Sequence, residues 1–463
     1  MNKRLIILGN GFDLSCGLKS KYIDFFKYRL QNLFETTDFD KIRDKLEEHE
    51  TTEEDLTFPR SLKGKKYIQT QLEDNLKNSS CYQENTDDKN KKEKMNQFTL
   101  NKNGGWKNYK SLTRWDVFFI YAQKYLKSNI NEWQDIENII NNVVTIALTK
   151  KNDLKKVELK TVKTNLHYEE NGEDKFKKII YKYSGTANSS PEEIAHLLLF
   201  DLINFETEFS KYIYLQLDLK NDKKGHFDLP YFINAEELLK EIIKIDDIRT
   251  STELSVISFN YTLGPRFKSK INDKLKNTFI KIETWMNIHG LSCYNDPNAR
   301  AAIKPKGEIP APIFGIDPED VLNCKCPARI IFTKPYRLIT NKIDNINQTI
   351  NFHDINEVNI YGHSLGEADH SYFYYIFDQI NIYDNAVKLL FFYCPGELVN
   401  GIIDLINQQE IERHFTEKVV KMLNNYGKRS KYAREDIVTK LALEGRLSIL
   451  PNPKIYNFQK VES

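Results

Sequence analysis

Four short stretches of the chain carry residues whose type and spacing could do chemistry. The first is Gly9-Asn10-Gly11-Phe12-Asp13, directly after the apolar run Leu5-Ile6-Ile7-Leu8. Glycines let a strand turn tightly and let backbone approach a phosphate, while amides opening the next helix point at the anion. The dinucleotide fingerprint has a third glycine where this chain has Leu14, and the next glycine is Gly17. The same residues also read as a tight turn with Asp13 capping its helix. The second and third stretches place Asn260 after Leu254–Phe259 and His289 after Trp285-Met286-Asn287-Ile288. An amide can orient water or a sugar hydroxyl without becoming charged, and a histidine can act as a base near neutral pH. Equally, Asn260 could satisfy a turn and His289 could be a buried structural histidine. The fourth is Gly362-His363-Ser364-Leu365-Gly366-Glu367-Ala368-Asp369. It fits the G-x-S-x-G nucleophile elbow, with Asp384 and His414 in the order a serine hydrolase requires. It also reads as a nucleotide loop, in which Ser364 and nearby amides hold phosphate or ribose and Asp369 accepts from a sugar hydroxyl.

These residues need a sheet to position them. Short apolar runs rich in Ile, Val and Phe recur at Leu254–Phe259, Thr278–Ile282, Arg329–Phe332, Val358–Tyr361 and Val387–Tyr393. Such runs are typical of buried parallel strands, and helical stretches between them argue for a doubly wound α/β sheet. In that arrangement Asp13, Asn260 and His289 emerge at carboxyl ends of strands, where open α/β sheets bind ligands. The expected core is 1–30 plus 250–425, interrupted by a large, mostly helical insertion over 31–249. Within it, 133–140 and 197–209 read as helices, the lysine-rich 150–183 as a charged hairpin, and 81–94 as a polar loop. A C-terminal extension, 426–463, opens on Gly427-Lys428-Arg429-Ser430-Lys431-Tyr432-Ala433-Arg434. That cluster reads as a solvated helix face, or more sharply as a nucleic-acid contact.

Composition narrows the function classes. The 463 residues carry 67 basic and 65 acidic side chains, for a net charge of +2. Such balance supplies no bulk field to draw nucleic acid or an anionic membrane. The apolar runs are too short to span a bilayer or to form a signal peptide, so a soluble cytoplasmic protein is expected. The six cysteines are scattered and read as free thiols. Cys324-Lys325-Cys326 lacks the second pair that a zinc site would need. No metal is expected. A metal-dependent nuclease remains an alternative, with Asp317, Glu367 and Asp369 as candidate carboxylates that form no recognisable cluster in the sequence.

The phrase LIILGNGFDLSCGLKSKYIDFF resembles the opening of the AbiH family of phage abortive-infection proteins. Further phrases resemble that family in the same order: Trp133–Glu137, Phe205-Glu206, Ser258-Phe259-Asn260-Tyr261-Thr262, Ile288-His289-Gly290, Phe314–Asp317 and Tyr361–Asp369. The resemblance implies a defence role, in which an infected cell stops growing before phage matures. More distantly, Gly9/Gly11, Asn260, His289-Gly290 and Gly362-x-Ser364 are similar in order to sirtuin-like domains. Thr262 stands where a sirtuin has an aspartate, and the paired C-x-x-C zinc module is missing. That resemblance implies a Rossmann-like, sirtuin-related fold that binds NAD as substrate or ligand and cleaves its N-glycosidic bond. Asn260 and His289 would then be catalytic. Gly9, Asn10, Gly11, Asp13, Gly362, Ser364 and Asp369 would hold the nucleotide. The alternative is a non-catalytic nucleotide sensor acting through a partner. A phage-derived trigger is expected as a further partner, and a homo-oligomer is compatible with the sequence.

Overall fold

A computed structural model describes residues 2–48, 113–126, 133–159, 171–184, 189–217, 229–244, 250–293, 311–318, 321, 326–340, 350–396, 405–429, 436–455 and 458–461. The polar stretch 81–94, Cys324 and most of the basic cluster after Arg429 lie outside the described residues. The chain divides into two compact units. One comprises 1–20, 213–312 and 341–463, and the other 21–212 and 313–340.

The first unit is built on a six-stranded sheet: β1 (Asn2–Leu8), β2 (Thr252–Ser258), β3 (Ile280–Asn287), β4 (Ile355–Tyr361), β5 (Lys388–Tyr393) and β6 (Leu447–Pro451). Its order is β3-β2-β1-β4-β5-β6. Every neighbouring pair is parallel, from Leu8 against Ser258 and Tyr361 at the centre to Tyr393 against Pro451 at the edge. β1 lies at the centre because Leu5-Ile6-Ile7-Leu8 is apolar on both faces, and all four residues are buried. On one face Leu5, Ile7, Val358, Ile360 and Phe391 pack with Phe373 and Phe377 of helix His370–Gln379 and with Val419 and Met422 of helix Leu405–Arg429. Burying such side chains contributes about 1.5–3 kcal/mol each.

The second unit is helical among its described residues. Helices Tyr22–Phe34, Arg114–Tyr125 and Pro191–Gln216 contribute Phe25, Phe26, Phe119, Phe205 and Phe209 to one aromatic cluster that also holds Phe314. Among the described residues, no helix is long and apolar enough to cross a membrane.

Several elements differ from the expectations above. Arg329–Phe332 is not a strand. It belongs to a 3-10 helix, Pro327–Phe332, because a short apolar run carries no period and Pro327 suits a helical first turn. Instead of a hairpin, the described part of 150–183 forms a 3-10 turn, Lys151–Lys156, and a helix, Gly172–Tyr183. Phe176, Ile180 and Tyr183 recur at helical spacing on that helix and are buried, which the lysines around them obscure. Conversely, Leu447–Pro451 adds a sheet strand, β6, within the expected extension.

Candidate functional site

The carboxyl ends of β1 and β4 meet through their loops. Gly9 donates its amide to the Tyr361 carbonyl at 2.9 Å, and Gly11 donates to the Gly362 carbonyl at 2.7 Å. A methyl group on Gly9 would fall 2.5 Å from the Cα of His363, and one on Gly362 only 2.4 Å from the Phe12 nitrogen. Gly362 also has a left-handed φ of +67°. The glycines therefore let the two loops pack backbone to backbone. Asn10 is exposed and ties down its own loop, since Ser20 Oγ donates to its Oδ1 at 2.6 Å and its Nδ2 donates to the Ser20 carbonyl at 3.2 Å.

The helix begins at once, Asn10–Ser15, with Gly9 as its cap and no side-chain cap bond. Asp13 is not the cap. It is 2 % exposed and accepts from Tyr231 Oη at 2.7 Å, Thr262 Oγ1 at 3.0 Å and Asn260 Nδ2 at 3.3 Å. Burial pushes its carboxyl up to about 7, against the lowering effect of those donors. Tyr231 comes from helix Pro230–Ile243, and Thr262 from the loop after β2. That loop is held to β3 by Asn287, whose Nδ2 donates to the Leu263 carbonyl at 2.7 Å, and by Trp285 Nε1 on the same carbonyl.

Asn260 is buried and donates its Nδ2 to the Gly9 carbonyl at 2.9 Å as well as to Asp13. Its neighbours Phe259 and Tyr261 both pack on His289, with ring centroids 5.4 and 6.3 Å away. His289 Nε2 lies 3.9 Å from Asp369 Oδ1, and His363 Nε2 lies 3.4 Å from Asp369 Oδ2. His363 Nδ1 accepts the Leu365 amide at 2.9 Å, so the neutral ring carries its proton on Nε2, toward Asp369. Asp369 thus sits between two imidazoles. His370 anchors the loop through the Leu365 carbonyl at 3.2 Å, and burial holds it below the ordinary histidine range.

The structure brings Asp13 and Asn260 into contact and sets His289 beside Asp369. Ser364 is exposed. The left-handed residues of its loop are Gly362 and Leu365, not Ser364, so the strained serine of a nucleophile elbow is missing. His414 faces Glu410 and Glu417 of its own helix. Among the described residues, no group of three or more His, Cys, Asp or Glu side chains could hold a metal ion.

Sequence reasoning missed Tyr231 and His363, and noted Thr262 only as a departure from the sirtuin pattern. Tyr231 meets Asp13 across 218 positions, so no local pattern announces it. His363 lies inside a singled-out motif and was visible there as a titratable group next to the serine.

The model of the bacteriophage abortive infection AbiH family matches residues 5–393. The chain belongs to this family. Phage defence by abortive infection is the role that membership implies. No curated protein and no solved structure matches the chain. Within the AbiH match, several family-like phrases prove to be scaffold of the second unit. Glu206 accepts from Arg337 Nη1 and Nη2, at 3.0 and 2.7 Å, and from the Phe314 amide at 2.6 Å. Glu137 pairs with Lys334 at 2.5 Å, and both are buried. β6 and helix Ile437–Leu443 lie beyond the AbiH match yet complete the sheet and its core.

Proposed function

We propose that this AbiH protein binds a nucleotide at the carboxyl edge of its sheet and cleaves the N-glycosidic bond of NAD as the effector step of abortive infection. The observation that carries the reading is the placement of four side chains. Asp13, Asn260, His289 and Asp369 lie in the segments that follow β1, β2, β3 and β4, and all are at most 5 % exposed. The strand order reverses direction between β1 and β4, and it is the order of the doubly wound dinucleotide folds, whose ligands bind at that switch point. Asn10 and Ser364 are exposed, whereas Asp13, Asn260, His289 and Asp369 are buried.

In this reaction the bond between nicotinamide nitrogen and ribose C1′ breaks, and its electron pair leaves with nicotinamide, cancelling the pyridinium charge. Water adds to the oxocarbenium-like carbon and loses a proton. Asn260 orients the water or a ribose hydroxyl. His289 takes the proton, with the Asp369 carboxylate facing the imidazolium that forms. Ser364 and the adjoining backbone contact the phosphate or ribose.

The test is nicotinamide release from NAD by purified protein, with and without phage lysate, beside a His289→Ala control. Release that vanishes in the control is expected. A fully active His289→Ala protein overturns the site. Saturable NAD binding without release replaces the enzyme by a sensor, and neither release nor binding overturns the nucleotide reading.

A further inference from the structure

We infer that Asp13 is a positioning residue that locks the Asn260 side-chain amide in one orientation, leaving Asn260 Oδ1 as the acceptor for a hydroxyl of the ligand's ribose. The inference rests on the nucleotide reading for the identity of the ligand and on the geometry alone for the lock.

The Asn260 amide has two N–H donors, and two acceptors face it: the Gly9 carbonyl at 2.9 Å and Asp13 Oδ1 at 3.3 Å. Turning the amide over would set its oxygen against the Gly9 carbonyl and the ionised Asp13 carboxylate and lose both bonds. Its orientation therefore follows from the network around it. With Nδ2 so engaged, Oδ1 is left buried with no hydrogen-bond partner among the described residues. An orphaned carbonyl oxygen in a buried polar cluster is costly unless a donor arrives to satisfy it.

Asp13 cannot be that ligand's main acceptor. Tyr231 and Asn260 already donate to its Oδ1, and Thr262 Oγ1, 3.0 Å from both oxygens, gives its one proton to either. Its carboxylate is spent within the chain, which moves it from the ligand contact expected from sequence to a support behind Asn260. Phosphate does not suit this spot either. Once Asp13 is ionised, it and Asn260 Oδ1 present only acceptors here, and the Gly9 and Gly11 amides are committed to the Tyr361 and Gly362 carbonyls. The group that fits is a donor, and on a nucleotide the aliphatic donor is a ribose hydroxyl.

The full chain, labelled with 13C and 15N in asparagine, tests both halves. In the free protein both Asn260 Nδ2 protons should exchange slowly with solvent, and in Asp13→Ala, which removes the acceptor, they should exchange at least tenfold faster. Rapid exchange in the wild type would overturn the lock without using any ligand or variant. For the hydroxyl, ADP-ribose and ADP are the probes, because ADP keeps the diphosphate and lacks the distal ribose. ADP-ribose should shift the Asn260 13Cγ resonance and bind at least tenfold tighter than ADP. That gap should close in Asn260→Ala. A gap that persists in Asn260→Ala, or an equal shift with ADP, overturns the hydroxyl assignment. If neither probe binds the wild type, the nucleotide reading falls and the hydroxyl assignment with it, while the exchange rates still decide the role of Asp13.

Discussion

Gly11 and Gly362 touch through their backbones: a methyl group on Gly11 would lie 2.6 Å from the Cα of Gly362. The contact joins the two central strand ends, and it accounts for small residues on both sides without reference to any ligand. Loop-to-loop closure and ligand binding are not exclusive, because the same closure seats the Gly9 loop against the His363 backbone.

Gly362→Ala is expected to be severely destabilising. The substitution combines a left-handed φ of +67° with a Cβ placed 2.4 Å from the Phe12 nitrogen, and backbone on both sides cannot swing away as a side-chain tip would. A loss of roughly 3–5 kcal/mol is expected from strain and overpacking together. Chemical denaturation of the variant beside the wild type measures it, and a change below about 1 kcal/mol would contradict the close approach.

Asp13 should make stability fall between about pH 4 and pH 7. Its carboxyl is raised to about 7 by burial, whereas the unfolded chain titrates near the ordinary value of 3.8. Between those values the folded state holds a proton that the unfolded state has released, so stability falls as pH rises and then levels off. The span corresponds to a loss on the order of 4 kcal/mol. Asp13→Asn removes this titration, so relative to the wild type the variant gains stability from pH 4.5 to pH 7.5. Urea midpoints at the two pH values check it, and a constant difference would mean that Asp13 stays ionised throughout.

Glu206→Ala should destabilise the helical unit by about 3–5 kcal/mol, because the buried Arg337 guanidinium loses its bidentate partner. Burial also raises the Glu206 carboxyl, and Arg337 and the Phe314 amide oppose that. Replacing both partners at once, Glu206→Met with Arg337→Leu, should cost clearly less than the single change, because no charge is stranded. Thermal unfolding of the two variants measures the difference. Equal losses would show that the pair itself, not the orphaned charge, carries the effect.

Much of the architecture was legible locally. An apolar run ending in Gly9-Asn10-Gly11 reads as a buried strand and a turn because both signals lie within ten residues, and β2, β4 and β5 follow from short Ile-, Val- and Phe-rich runs. The same rule misread Arg329–Phe332, since a four-residue apolar run has no period that separates a strand from a helical turn. Asn260, His289 and Asp369 could be picked out because each stands at the end of a strand or inside a glycine loop. Thr262 and Tyr231 could not, because a hydroxyl has no role until its partner is known.

The sequence by itself determined the parallel α/β character, the family, and which polar residues leave the strand ends, because these rest on local patterns of apolar runs and glycines. Only the tertiary structure decided that the glycines of the two loops close on each other and that Asp13 meets Tyr231, Thr262 and Asn260. It alone decided that Asp369 lies between His289 and His363. Those facts depend on strand order and on contacts between residues far apart in the chain, and one strand end acquires its chemistry only when the sheet sets another beside it.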